Sequence, residues 1–313
     1  MKKVFKKICR MSQKDLKKYT AKCLEETHSN IVKGDGYVYA EGEFPVLLVA
    51  HLDTVHKNLP TKIIDIDGKL SSPNGIGGDD RCGIYMILQI VKQINCSVVF
   101  CEDEEIGCVG ADKFIATELA ESLKGKFNYI IEFDRKNAND AVFYDCDNKE
   151  FEDFITKDYF KTANGIYSDI SEIAPFLGAA AVNLSCGYYN AHTNDEYVVW
   201  DEMQKSIGKA IKILNRTTEI DAFEYIPAPI NFNSYRGYGV YDDDEYYYYN
   251  YGYGYGDYCY EVHYVNEDGL FKTYETLVNS ELEAVGMFCM EHPDLTYNDI
   301  IDVINLDEDI IKK

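Results

Sequence analysis

Polar side chains of the metal-ligand type directly follow an apolar run near the start of the chain. The run from Pro45 to Ala50 reads Pro-Val-Leu-Leu-Val-Ala, and His51-Leu52-Asp53 comes next. Because residues i and i+2 of a strand share a face, His51 and Asp53 should point the same way. The histidine can then bind a metal through one ring nitrogen while the carboxylate orients the ring through the other. Taken alone, His-x-Asp also fits an ordinary polar strand end.

A glycine-rich turn supplies the next candidates. Residues 75–83 read Gly-Ile-Gly-Gly-Asp-Asp-Arg-Cys-Gly and place Asp79 and Asp80 just ahead of a helical pattern. Asp is also common as an ordinary helix N-cap. Glycine, however, lets a backbone approach a bound ion closely, and the two oxygens of one carboxylate can bridge a pair of metals. The turn is therefore a candidate second part of a metal site.

Further acids and a second histidine follow later strands. Four acids, 102–105, come after the run Ser97 to Cys101, and they repel one another unless solvent or cations relieve the repulsion. Glu132 and Asp134 lie on one side of another strand, and Asp134 is preferred as a ligand because it lies at the strand end. His192 lies in a loop before a helical pattern. Mixed nitrogen and oxygen ligands suit zinc or a similar divalent ion.

Short apolar runs and helical patterns alternate between residues 37 and 214, and these elements must position the candidates. The predicted strands are Tyr37 to Ala40, Pro45 to Ala50, Ser97 to Cys101, Tyr129 to Phe133, Ala141 to Tyr144 and Ala179 to Leu184. The predicted helices are Arg81 to Ile94, Ala111 to Leu123, Asp153 to Phe160 and Glu196 to Leu214. This alternation predicts an α/β fold, a three-layer α/β/α sandwich around a mixed, mostly parallel sheet. Function in such sheets gathers at the carboxyl ends of strands.

Three segments flank the predicted catalytic domain of residues 35–216. Residues 1–34 form a lysine-rich N-terminal helical segment, with a surface helix predicted from Gln13 to Leu24. Residues 227–257 are rich in Tyr, Gly and Asp and read as a low-complexity linker, either a solvated tether or an adhesive surface. Residues 258–313 form a small acidic α+β appendage. Its sequence predicts a hairpin around 266–269 and two helices, Ser280 to Glu291 and Tyr297 to Ile304.

Composition limits the classes of partner. The net charge of -23 argues against nucleic acid, because phosphate binding relies on clustered Lys and Arg. The sequence contains no apolar run near the roughly 18 residues of a membrane span. The ten cysteines form no Cys-x-x-Cys pair, and the start of the chain lacks the apolar stretch of a secretory signal. These features predict a soluble, cytoplasmic protein with reduced thiols.

Taken in order, these motifs resemble those of the dinuclear zinc exopeptidases of peptidase clan MH over residues 35–215. The family's His-x-Asp matches His51-Leu52-Asp53, its Gly-x-Asp-x-(Lys/Arg)-x-Gly turn matches residues 77–83, and its Glu-Glu pair matches Glu104-Glu105. The resemblance implies two divalent ions, expected to be zinc, with Asp79 shared between them. It further implies Glu104 as general base and Asp53 as the acid that orients His51. The implied metal ligands are His51, Asp79, Glu105, Asp134 and His192.

Two short separations indicate which branch of the clan the chain resembles. Asp134 and His192 lie too close in sequence for an inserted lid domain, and His51 and Asp79 lie too close for the insertion of the tetrahedral aminopeptidases. Ser168-Asp169 followed by Pro175-Phe176 is similar to a segment of the single-domain aminopeptidases, although Ile170 replaces their histidine. The resemblance implies an aminopeptidase that cleaves short peptides. An N-acyl amide deacylase and a non-catalytic binding protein on the same fold are the alternatives; the sequence leaves the oligomeric state open.

Overall fold

The computed structural model describes residues 1–157, 159–217, 221–228, 258–265, 271–278, 288 and 300–305. The chain divides into two compact units, Met1–Ala228 and Pro229–Lys313. The strands of the first unit are β1 (Asn30–Lys33), β2 (Tyr37–Glu41), β3 (Phe44–His51), β4 (Ile64–Ile66), β5 (Lys69–Ser71), β6 (Cys96–Cys101), β7 (Tyr129–Arg135), β8 (Asp140–Val142), β9 (Lys161–Thr162), β10 (Ala181–Ser185), β11 (Tyr188–Tyr189) and β12 (Tyr197–Val199). Its helices are α1 (Lys2–Ile8), α2 (Gln13–Leu24), α3 (Gly78–Ile90), α4 (Val109–Ile115), α5 (Glu118–Leu123), α6 (Lys149–Thr156), α7 (Asp169–Leu177) and α8 (Trp200–Arg216).

Eight strands form the central sheet in the order β1-β2-β6-β3-β7-β10-β8-β9. The four strands β6, β3, β7 and β10 pair in parallel. The pairs β1-β2, β2-β6 and β10-β8 are antiparallel, and β9 pairs in parallel with β8 at the edge. The sheet is therefore mixed and parallel at its centre, which confirms the predicted fold class. The predicted strands in this sheet are all present, within a few residues of their predicted bounds.

Helices cover both faces of this sheet. Along β3, Val46 and Leu48 belong to one hydrophobic cluster, which also takes in side chains of α1, α2, α3 and α8. The intervening Leu47 and Val49 belong to a second cluster, formed with α4, α5 and α7. A strand that is apolar on both faces is what a sheet buried between two helix layers requires. This arrangement is the three-layer sandwich expected from the sequence.

A second, four-stranded sheet has the order β11-β12-β5-β4 and is antiparallel throughout. The sequence did not predict it, because strands of two or three residues are too short to show a hydrophobic period. Strand β12 also corrects the predicted start of the last helix of this unit. The helix begins at Trp200 rather than at Glu196, and Glu196 is fully buried.

Other helix boundaries differ from the prediction for identifiable reasons. The helix predicted over Ala111 to Leu123 is two helices, because Thr117 accepts a hydrogen bond from the backbone N–H of Ala120 and begins α5. The helix predicted from Asp153 begins at Lys149, after Asn148 caps it. Helix α7 was not predicted, and it contains Pro175 in its interior. Proline usually interrupts a helical pattern, which hides this helix in the sequence.

The N-terminal segment is part of the first unit. Helix α2 has the predicted bounds, but Leu16 and Leu24 on one side of it are fully buried, as is Phe5 of α1. These side chains join the first hydrophobic cluster, and β1 extends the central sheet. Residues 1–34 therefore do not form a structural unit of their own, and α2 is a surface helix only on its lysine-bearing side.

The described part of the second unit is an antiparallel sheet of β13 (Tyr258–Val265), β14 (Phe271–Val278) and β15 (Ile300–Asn305), in the order β14-β13-β15. The predicted hairpin is present as β13 and β14. The helix predicted over Tyr297 to Ile304 is wrong, because this β-branched run pairs with β13 as a strand. The predicted linker from residue 229 onward and most of the predicted helix Ser280 to Glu291 lie outside the described residues. Among the described helices, none is long and apolar enough to cross a membrane.

Candidate functional site

Three adjacent parallel strands deliver the predicted site residues to one edge of the sheet. Strand β3 ends at His51, whose register partner in β6 is Cys101, and the acid run begins immediately after Cys101. On the other side of β3, Val49 pairs with Glu132 of β7, so Asp134 lies just beyond, at the same edge. Because parallel strands end together, residues far apart in sequence meet there.

Asp79 lies between the two histidines. Its Oδ1 is 3.1 Å from Nε2 of His51, and its Oδ2 is 3.2 Å from Nε2 of His192. Each carboxylate oxygen thus faces a different imidazole. The backbone reaches this position through Gly77, whose φ of 66° is in the left-handed region that favours glycine.

The remaining acids complete two groups around Asp79. Oε2 of Glu105 lies 3.1 Å from Nε2 of His192, and Oδ1 of Asp134 lies 3.4 Å from Nε2 of His51. Glu104 is close by, with Oε2 4.0 Å from Nε2 of His51. The structure therefore brings together the five predicted ligands and the predicted base.

The ligand atoms of this cluster lie close enough together to hold divalent ions. Ligand atoms of His51, Asp79 and Glu105 all lie within 4.8 Å of one another, and so do those of His51, Asp80 and Asp134. Two overlapping groups of imidazole nitrogen and carboxylate oxygen are the chemistry that a pair of zinc-like ions requires. Asp80 was not singled out as a ligand from the sequence; in the structure its carboxylate also accepts hydrogen bonds from backbone N–H groups of Gly83 and His51.

Asp53 connects the histidine to the acid run. Its Oδ1 lies 3.1 Å from Nδ1 of His51, which leaves Nε2 directed at Asp79 and Asp134. The same carboxylate accepts hydrogen bonds from the backbone N–H groups of Glu104 and Glu105, both at 3.0 Å. One side chain therefore fixes both a histidine ring and the backbone of the predicted base.

Without a metal, the pKa values of the cluster show how strongly it retains positive charge. Hydrogen bonds that the His192 imidazole donates to the carboxylates of Asp79 and Glu105 raise the pKa of His192 to about 11. Burial, with the neighbouring charges of Asp134 and Asp169, raises the pKa of Glu104 to about 9. For Asp79, burial opposes ionisation, but contact with both histidines lowers the pKa below its usual value. His192 and Glu104 thus retain protons beside an ionised Asp79, and bound cations can take the place of those protons.

Glu132 and Asp134 differ in their surroundings. Glu132 is fully buried, neither of its carboxylate oxygens makes a hydrogen bond, and it belongs to neither group of ligand atoms. Burial first, and then the charge of Asp134, raise its pKa well above the usual value. Asp134 instead faces His51, and it accepts hydrogen bonds from Tyr188 Oη at 3.3 Å and Ser168 Oγ at 3.1 Å. The geometry favours Asp134 over Glu132 as the ligand.

Glu196 is a supporting residue that the sequence did not reveal. Its fully buried carboxylate accepts hydrogen bonds from the backbone N–H of Gly77 at 2.6 Å and of Asp79 at 3.0 Å. It also lies 2.8 Å from Nε2 of His56. His56 is thereby a partner of Glu196 and not one of the clustered ligand atoms. The sequence placed Glu196 at a helix start and offered no signal of this contact.

Residues 34–181 match the model of a family described as peptidase family M28. These residues are a peptidase family M28 domain. The match contains His51, Asp79, Glu104, Glu105 and Asp134 but ends before His192. The M28 domain therefore carries most of the site within the matched span, and the loop after β11 supplies the second histidine. A search of curated proteins found no match to the chain.

Solved structures share the fold of this M28 domain. Aminopeptidase PepT from Bacillus cereus is 13% identical with a TM-score of 0.59; the alignment covers 69% of this chain and 97% of that one. A tripeptidase from Staphylococcus aureus is 12% identical with a TM-score of 0.55, over 69% and 97% of the two chains. An aminopeptidase from the archaeon Desulfurococcus kamchatkensis is 13% identical with a TM-score of 0.52, over 68% and 93%. At such low identity the likeness concerns the fold.

Proposed function

We propose that the M28 domain is a metal-dependent hydrolase of amide bonds, an aminopeptidase that uses two zinc ions to cleave short peptides. The observation that carries this proposal is the position of Asp79, whose two oxygens face His51 and His192 with Glu104 alongside. The family match adds support, and the titles of the similar structures include aminopeptidases and a tripeptidase. We also propose that the protein acts in the cytoplasm, which agrees with the eight cysteines of the first unit, all of which are free thiols.

The five clustered ligands divide naturally between two ions. His51 and Asp134 would hold one, Glu105 and His192 the other, and Asp79 would contribute one oxygen to each, as their contacts in the structure suggest. When bound, two such ions polarise a substrate carbonyl and lower the pKa of water toward neutrality. Asp53 keeps the His51 ring oriented through Nδ1, so that Nε2 stays available.

Glu104 is the proposed general base. Its carboxylate would accept a proton from the attacking water and then pass it to the leaving nitrogen, so that one group serves both steps. Burial and acidic neighbours hold its pKa near 9 in the metal-free protein, and added cations favour the ionised form that a base requires. Its backbone N–H donates a hydrogen bond to Asp53, which holds the backbone of Glu104 in place beside the ligands.

A comparison of matched substrates tests this proposal and separates it from its alternatives. The protein would be stripped with a chelator, reloaded with zinc, and assayed on aminoacyl amides and on their N-acetylated counterparts. We expect turnover of the free-amine substrates that disappears on chelation and returns with zinc. Turnover of only the N-acetylated forms would establish a deacylase instead. The absence of zinc-dependent turnover on either set would leave a binding protein and contradict the proposal.

A further inference from the structure

Helix α2 presents two polar side chains to the loop that carries Glu104. Gln13 and Lys17 are four residues apart, so they lie on the same side of the helix. Nζ of Lys17 donates to Oε2 of Glu102 at 2.5 Å and to the carbonyl oxygen of Gly34 at 2.8 Å. Nε2 of Gln13 donates to Oδ1 of Asp103 at 2.8 Å. Both residues before Glu104 are therefore held by one helix.

The helix does not depend on these contacts for its own position. Leu16 and Leu24 of the same helix are fully buried in the hydrophobic core and anchor it there. The polar contacts are themselves sheltered, with the Lys17 side chain 20% exposed and that of Glu102 15% exposed. An ion pair of this kind, between a side chain on an anchored helix and a loop, can fix the loop more firmly than a freely exposed pair.

The loop needs such a restraint because of its charge and its backbone. Residues 102–105 are four consecutive acids, which repel one another when ionised. Asp103, directly before Glu104, has a φ of 61°, a conformation in which non-glycine residues are uncommon. On the other side of Glu104, Asp53 holds two backbone N–H groups. The loop is thus tied on one side to the segment directly after β3 and on the other side to α2.

We propose that α2 acts as a clamp on the catalytic loop, with Lys17 and Gln13 as positioning residues for Glu104. Lys17 offsets part of the acidic charge of the run, and Gln13 fixes the side chain of Asp103, so that the backbone delivers Glu104 to the ligand cluster. The clamp rests on the proposed function for its catalytic consequence. Its structural consequence, restraint of residues 102–108, holds whether or not the protein hydrolyses peptides.

Hydrogen exchange of the metal-free protein tests the clamp directly. In Lys17→Met, we expect the amides of residues 102–108 to exchange at least about tenfold faster than in wild type, because the loop opens more often. Lys18→Met is the matched control, since Lys18 is an exposed lysine on the same helix and the substitution changes the charge equally. Gln13→Ala provides a second variant that retains the ion pair, and it should accelerate exchange in the same segment to a smaller degree.

Kinetics of the zinc-loaded protein provide the second readout. Lys17→Met should lower kcat by about tenfold or more while KM stays within about twofold, because small displacements of a catalytic group affect the chemical step. Lys17→Arg should restore most of the rate, and zinc content should be the same in all variants. Equal exchange over residues 102–108 in Lys17→Met and Lys18→Met would overturn the clamp, as would acceleration spread evenly through the core. If wild type cleaves no substrate, the proposed function fails, and the exchange experiment still decides the clamp.

Discussion

Single side chains in this site serve several partners at once, and Asp53 is the clearest case. It faces the His51 ring and also accepts hydrogen bonds from two backbone N–H groups of the acid loop. An acceptor with two charged oxygens satisfies all three, whereas an amide of the same shape offers only one acceptor oxygen.

Asp53→Asn should therefore lower zinc affinity or kcat by about 10- to 100-fold, the usual cost of losing a partner of a metal ligand. Zinc titration and steady-state kinetics on an aminoacyl amide would measure the two effects. Asp67→Asn is a suitable control, because Asp67 is exposed. Wild-type behaviour of Asp53→Asn would show that the orientation of His51 does not depend on this carboxylate.

Gly83 of α3 packs tightly against β7, the strand that carries Asp134. A Cβ at this position would lie 1.8 Å from the carbonyl oxygen of Phe133 and 2.6 Å from both carboxylate oxygens of Asp80. Gly83→Ala should destabilise the protein by about 2 kcal/mol, as overpacking of a rigid interior does. Urea unfolding would measure it. Gly208→Ala in α8, where a Cβ would meet nothing within 4 Å, should instead be neutral or stabilising; equal effects of the two substitutions would contradict this account.

The sequence could predict the positions that gather around Asp79, because they lie at strand ends or in the loops between elements and together form an ordered motif. It could not reveal residues that act only through distant contacts. Glu196 lies 117 positions from Asp79 and accepts a hydrogen bond from its backbone N–H. Ser168 lies 34 positions from Asp134 and donates a hydrogen bond to its carboxylate. Neither contact leaves a local pattern of hydrophobicity or spacing, so both required the structure.

At the scale of elements, the turn before α3 is held from outside by the segment leading into β12. The two carboxylate oxygens of Glu196 accept hydrogen bonds from the backbone N–H of Gly77, in this turn, and from that of Asp79, at the start of α3. The carboxylate is fully buried, so bulk solvent does not compete for these two N–H groups. The turn and the segment before β12 should therefore respond together to a change at this residue.

Glu196→Gln tests this coupling. The side-chain amide has one acceptor oxygen, so its NH2 group would face one of the two backbone N–H groups. That buried N–H would lose its hydrogen-bond partner, which should lower the free energy of unfolding by about 1–3 kcal/mol. We expect a lower midpoint of unfolding together with weaker zinc binding, since Asp79 shifts with its backbone. Glu118→Gln, at an exposed position of α5, should change neither quantity. Loss of stability with unchanged zinc affinity would show that the turn is not coupled to the ligands.

Elements with long apolar runs were predictable, and short ones were not. Strands β3 and β6 are buried on both faces and leave a continuous apolar signal in the sequence. Strands such as β4 and β11 have three and two residues and gain their identity only from pairing. The misassigned strand β15 shows the same limit, because a short β-branched run fits a helix or a strand until its partner is known.

At the level of the whole protein, bound protons should stabilise the site at low pH and bound zinc should stabilise it at high pH. In the metal-free protein the pKa of His192 rises from 6.5 to about 11, and that of Glu104 from 4.5 to about 9. Stability from a raised pKa is complete below the unfolded value and is lost as pH climbs toward the folded one. Between pH 6 and 9 both contributions therefore decline, and the chelated protein should become less stable.

Zinc binding should follow the opposite trend, because it requires the deprotonated ligands. The difference in Tm between zinc-loaded and chelated protein should therefore widen from pH 6 to pH 9. Thermal unfolding followed by circular dichroism would measure it in both states. A difference that stays constant or narrows across this range would mean that zinc does not displace protons from these groups.

In the function proposed for this protein, the cluster around Asp79 performs metal-dependent hydrolysis with Glu104 as its base. Its most direct test is the rate of hydrolysis of one aminoacyl amide by zinc-loaded wild type and zinc-loaded Glu104→Gln. We expect two zinc ions in both proteins and a kcat at least about 100-fold lower in the variant, the usual range for a positioned acid–base group. Equal rates in the two proteins with zinc fully bound would contradict it.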